Sequence, residues 1–187
     1  KKVVVVDDDI INLQVAGKIL SSGGLRVAAL RSGDALFDYL EKEDELPNLI
    51  LLDVKMPGMS GFDCLKKLHS LETAASKIPV IFLTADESEG AEREGLKLGA
   101  MDFIRKPFVP EVLLLRVKNL IELVTLQNQL YSEVEQKTRE NKDLFMQIVS
   151  SRAAVIDTKD EYTKGHSSRV TDYSKMKKKL PFEWVRA

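Results

Sequence analysis

Five short strand-like segments alternate with stretches whose apolar residues recur three and four positions apart. The apolar runs are Val3 to Val6, Leu49 to Leu52 and Ile78 to Ala85, joined by a short strand at Arg26 to Leu30 and a shorter, partly polar one at Asp102 to Arg105 that suits a sheet edge. A short continuous apolar run bounded by turn residues reads as a strand buried on both faces, as in a parallel sheet. Between the runs, Ile10, Leu13, Ala16, Gly17 and Leu20 keep helical spacing until Gly23-Gly24 stops them. Ser32 to Lys42 predicts a second helix, capped by Ser32, with Ala35, Leu36, Tyr39 and Leu40 inward. Phe62, Leu65 and Leu68 predict a third, ended by an exposed His69. Ser88 to Leu98, closed by Gly99, predicts a fourth. Pro110 suits the first position of a fifth, with Glu111 beside its positive end. Strand and helix alternating five times predict an α/β fold, a doubly wound five-stranded parallel sheet. Right-handed crossovers then gather the strand carboxyl ends on one rim, where ligands of open sheets bind.

The fifth helix does not stop where a compact domain would. Val117, Leu120, Val124, Gln127, Tyr131, Val134, Thr138, Asn141, Phe145 and Ile148 fall at alternating three- and four-residue steps. Neither Gly nor Pro interrupts residues 111 to 164, and Glu133, Glu135, Lys137, Arg139 and Lys142 flank the seam. The pattern predicts a coiled-coil homodimer with a polar stretch at Gln127, Thr138 and Asn141, which sets register at some cost in stability. The other reading is a helix folded back on the chain's own domain. The expected organisation is a compact domain over 1–122, a long helical linker over 113–150 and a short helical remainder over 151–187.

Composition narrows the classes. Apolar residues make up 44% of 187, enough for a core, and 28 basic residues balance 29 acidic ones. That balance gives no global field to recruit nucleic acid. The single cysteine, Cys64, excludes an internal disulfide and suits a reducing compartment. No run approaches the roughly 20 apolar residues of a membrane helix. The Lys-Lys opening leads directly into Val3, so no signal peptide is expected. The expectation is a cytoplasmic protein that engages neither membrane nor nucleic acid.

The rim carries the chemistry: Asp7, Asp8, Asp53, Thr84 and Lys106. Asp9 is the simplest N-cap for the first helix, and Asp53 taken alone also reads as a cap for the next turn. The company of the other groups changes that reading. Neighbouring carboxylates at a partly solvated strand end repel, and magnesium, a hard cation that keeps several waters, relieves them. A carboxylate is a competent nucleophile toward phosphorus, and phosphoryl transfer is mostly positioning and charge neutralisation. In this reading Asp8 and Asp53 hold Mg2+, with Asp7 acting through a water. Lys106 meets one phosphoryl oxygen and Thr84 another. No general base is needed, because a carboxylate is ionised at neutral pH.

Four motifs sharpen this: Val5-Val6-Asp7-Asp8-Asp9, Leu51-Leu52-Asp53-Val54-Lys55-Met56-Pro57-Gly58-Met59-Ser60-Gly61, Phe82-Leu83-Thr84-Ala85 and Phe103-Ile104-Arg105-Lys106-Pro107-Phe108. With them, residues 1 to about 122 resemble a response-regulator receiver domain of bacterial two-component signalling. The resemblance implies a flavodoxin-like sheet of order 2-1-3-4-5 and a cis peptide at Lys106-Pro107. It implies Asp53 as phosphoacceptor, Asp7 and Asp8 as acidic pocket, the Lys55 backbone carbonyl as a further Mg2+ ligand, and Lys106 as phosphate-sensing cation. Thr84 and Phe103 become a switch pair, and the implied partner is a histidine kinase or phosphotransfer protein. Phosphorylation would draw Thr84 to the new group and let Phe103 turn inward, changing the face of the fourth helix, fifth strand and fifth helix. Plain core is the other reading of Phe103.

The segment Ala153 to Val170 is similar to the opening of an HD-GYP domain, a metal-dependent phosphodiesterase that cleaves cyclic di-GMP. That resemblance places His166 in a metal-binding set. The chain has only His69 and His166, no His-Asp dipeptide and no Gly-Tyr-Pro signature. A catalytic metal site needs about three converging protein ligands. The sequence therefore reads first as a phosphorelay response regulator signalling through a dimeric helix. The alternative is a receiver-regulated cyclic di-GMP phosphodiesterase whose catalytic part is missing here, the chain being a fragment or a naturally shortened relative. No helix-turn-helix pattern supports a DNA-binding output.

Overall fold

The computed structural model describes residues 1–85 and 89–159. In chain order it runs β1 (Lys2–Val6), α1 (Ile10–Ser22), β2 (Arg26–Leu30), α2 (Gly33–Lys42), β3 (Leu49–Asp53) and α3 (Gly61–His69). A short 3-10 helix (Ala74–Lys77), β4 (Val80–Thr84), α4 (Glu89–Lys97), β5 (Asp102–Arg105) and α5 (Pro110–Lys159) follow. All strand pairs are parallel and the order is β2-β1-β3-β4-β5, a flavodoxin-like sheet as expected. The cis peptide at Lys106-Pro107 is present.

The apolar runs of β1, β3 and β4 are buried on both faces. On one face Val4, Val6, Ile50, Leu52 and Phe82 pack against Leu36, Leu40, Leu65 and Leu68 of α2 and α3. On the other, Val3, Val5, Leu51 and Leu83 meet Leu13, Ala16 and Leu20 of α1 and Leu113 and Val117 of α5. Full burial of each such side chain contributes about 1.5–3 kcal/mol before chain entropy is counted. Side-chain oxygens start the helices: Asp9 accepts from the Ile11 N–H at 2.8 Å, Ser32 from Ala35 at 3.1 Å and Ser60 from Asp63 at 3.2 Å.

Three details differ from the pattern. Ile10 is 53% exposed rather than inward, because Asp9 caps α1 and its buried stripe is Leu13, Ala16, Ile19 and Leu20. Phe37, absent from the expected core, is buried beside Leu36 and Leu40. Val117 is wholly buried with Leu113 and Ile121 under the sheet, so it does not serve a coiled-coil seam.

The chain divides into two units, Lys1–Gln127 and Asn128–Ala187, with the boundary inside α5. In the second, Tyr131, Val134, Leu144, Phe145 and Ile148 are exposed. Among the described residues, no helix is long and apolar enough to cross a membrane.

Candidate active site

Parallel register brings the rim together. Val6 pairs with Leu52, so Asp7 and Asp53 leave neighbouring strands side by side. Thr84 pairs with Arg105, and the Lys106 N–H donates to the Thr84 carbonyl at 2.8 Å, which places the lysine at the same edge. Gly61 opens α3 directly against the end of β3. A Cβ there would collide with the Asp53 carbonyl oxygen and come within 3.0 Å of Val54 Cα. Glycine thus lets α3 close tightly behind the end of β3.

At the centre, Lys106 Nζ lies 2.6 Å from Asp7 Oδ2 and 2.9 Å from Asp53 Oδ1. Asp7 is fully buried, and Asp53 and Thr84 are only 5% and 2% exposed. Burial pushes the Asp53 carboxyl above its usual value, and Asp7 adds to this. Lys106 and the Lys55 backbone N–H, which donates to the carboxylate, pull the other way. Burial opposes the charge on Lys106, but Asp7 and Asp53 outweigh it and hold the ammonium above its ordinary value. Cys64 offers no competing nucleophile. It is buried, and desolvation with Asp63 and Asp34 nearby pushes its thiol up to about 11.

Asp7, Asp8 and Asp53 each present a carboxylate oxygen, and all lie within 4.8 Å of one another. Asp7 Oδ2 is buried and is held by the Lys106 ammonium. Three hard oxygen donors converging at the strand ends fit a magnesium ion. The site therefore brings together every predicted rim residue: Asp7, Asp8, Asp53, Thr84 and Lys106. Lys55 follows two residues after Asp53 and is exposed. Phe103 is 8% exposed and packs on Phe82 with ring centroids 5.3 Å apart. His166 lies outside the described residues.

Asn12 belongs to the site and the pattern did not single it out. Its Nδ2 donates to Asp7 Oδ1 at 3.2 Å, and the Asp9 N–H donates to the same oxygen at 3.0 Å. One oxygen of Asp7 is thus held by neutral donors and the other is turned toward Lys106. The available signal was a polar residue in the first turn of α1, five positions after Asp7.

The fold is thus a parallel α/β sheet with an acidic pocket and a lysine at its carboxyl rim. Residues 3–118 match the family model described as response regulator receiver domain, and the chain belongs to that family. It is similar to the response regulator PleD of Caulobacter vibrioides, 31% identical over 156 residues, 83% of this chain and 32% of that protein. It is also similar to a probable cyclic di-GMP phosphodiesterase of Vibrio cholerae, 30% identical over 182 residues, 93% of this chain and 40% of that protein. The chain thus spans well under half the length of both relatives. Among solved structures, chemotaxis protein CheY4 of Vibrio cholerae shares 31% identity with a TM-score of 0.58, covering 64% of this chain and 97% of its own. Receiver domains work with histidine kinases or phosphotransfer proteins and generally bind Mg2+ at this acidic pocket.

Proposed function

We propose that this protein is a phosphorelay response regulator that accepts a phosphoryl group on Asp53 from a histidine kinase or phosphotransfer protein. The observation that carries the reading is the Lys106 ammonium held between Asp7 and Asp53 at 2.6 and 2.9 Å. A cation already seated against the acceptor needs little reorganisation to meet the incoming phosphoryl oxygens. The Asp53 oxygen attacks phosphorus, and the bond from phosphorus to the donor breaks. Lys106 follows the new charge, and the Thr84 hydroxyl donates to a phosphoryl oxygen. Asp8, Asp53 and the Lys55 carbonyl, with Asp7 through a water, would hold Mg2+, which would supply further charge neutralisation.

In this reading residues 1–122 form the receiver, 113–150 the linker and 151–187 the start of an output region. The phosphorylated receiver signals through the face of α4, β5 and α5, with Thr84 and Phe103 as the switch pair. The exposed Tyr131, Val134, Phe145 and Ile148 support a homodimeric linker. A second reading has one specific support. The similarity to the phosphodiesterase of Vibrio cholerae extends over 182 residues, well past the receiver. A longer protein carrying this segment would then be a cyclic di-GMP phosphodiesterase under receiver control, with His166 in its metal set.

The test is labelling with acetyl phosphate. Wild-type chain incorporates phosphate only with Mg2+, and Asp53→Asn incorporates none while keeping its circular dichroism. Undiminished labelling of a folded Asp53→Asn chain overturns the assignment.

A further inference from the structure

Helix α4 carries two glycines in nine residues, Gly90 and Gly95. Glycine weakens a helix interior relative to alanine, so each needs a reason. Gly90 is exposed, and a Cβ there would meet nothing within 4 Å. Gly95 is different. It is buried, and a Cβ there would run into Phe103 Cζ and lie 3.0 Å from both Cδ2 and Cε2 of Phe82. Phe82 is wholly buried and packs edge-on against Phe62 at 5.1 Å, which limits its room to shift. Phe103, tilted 42° on Phe82, is the outer ring of this stack, and Gly95 is the surface it rests under.

Phe103 also borders a groove of about 490 Å3 lined by Leu96, Arg105, Val112 and Arg116. The ring therefore has an inner seat against Phe82 and an outer space beside α5. We propose that Gly95 is a positioning residue for the switch ring: the absent side chain is the seat that lets Phe103 pack inward, and a single methyl there drives the ring into the outer groove. The role of the ring as a switch rests on the function proposed above, whereas its seat rests on the contacts alone.

The experiment compares Gly95→Ala with Gly90→Ala in the full chain. Both gain alanine's helix propensity, but only one reaches the ring. Contacts between the Phe82 and Phe103 rings are read by NMR on phenylalanine-labelled protein, without phosphoryl mimic. Gly90→Ala is expected to keep the wild-type ring contacts. Gly95→Ala is expected to lose them and to gain contacts from Phe103 to Val112. Denaturant midpoints supply a second readout: Gly95→Ala lowers the midpoint when Phe103 is present and lowers it less in a Phe103→Ala background, where only the Phe82 contact remains. Retained Phe82–Phe103 contacts in Gly95→Ala, or a midpoint shift independent of Phe103, overturns the proposal. If the ring moves but beryllofluoride with Mg2+ shifts the α5 resonances as in wild type, the seat stands and the switch reading of Phe103 fails.

Discussion

Each group of the pocket is set by its neighbours more than by its own chemistry. Burial makes the ionised form of Asp53 less favourable in the folded chain than in the unfolded one. Its contribution therefore favours folding least once pH has risen from the ordinary carboxylate value of 3.8 through its raised value. The metal-free Asp53→Asn chain is expected to outlast wild type in urea at pH 7, with the gap closing as pH falls toward 4. Equal midpoints across that range would contradict the account. Asn12 acts at the same scale by fixing which Asp7 oxygen faces the pocket. Outer hydrogen-bond partners of ligating carboxylates are typically worth 10–100-fold in metal affinity. Asn12→Ala is expected to weaken Mg2+ binding by about tenfold in calorimetry, with Asn12→Gln recovering part of it. The charged rim was legible in the sequence because a strand that ends in an acid declares both its burial and its exit. Asn12 and Gly95 were not, because their meaning lies in contacts with Asp7 and Phe103 that periodicity does not encode.

The elements obey the pattern wherever apolar period and turn chemistry agree. Apolar runs located β1, β3 and β4, and the caps at Asp9 and Ser32 fell where expected. The register that sets Asp7 beside Asp53 follows from parallel pairing, which no single segment announces. Ile78 and Pro79 read as strand but precede it: β4 begins at Val80, and the Ile78 N–H is taken by Ala75 of the 3-10 helix. Helix α5 divides its apolar residues between two duties. Leu113, Val117 and Ile121 are buried in the receiver core, whereas Leu123, Leu126 and Leu130 are exposed alongside Tyr131 and Val134. The heptad pattern alone did not separate the buried turns from the exposed ones, because both share helical period. Mutations at Val117 are thus expected to lower the stability of the receiver, and, in the proposed homodimeric linker, mutations at Tyr131 or Phe145 to weaken association.

At the scale of the whole molecule, the account joins one pocket to one long helix. In the proposed function phosphorylation changes the charge at Asp53, and the rings of Phe82 and Phe103 pack under Gly95 of α4. Helix α5 is continuous from the receiver core into the linker, from Pro110 to Lys159. The proposed signal runs along that helix to its exposed apolar residues. The measurement that tests this most directly is the solution mass and diffusion of the full chain by light scattering, with and without Mg2+ and beryllofluoride, a mimic of the aspartyl phosphate. The account predicts a dimer at micromolar concentration whose association or hydrodynamic size changes when the mimic is added. A monomer under both conditions, or a dimer indifferent to the mimic, would contradict it.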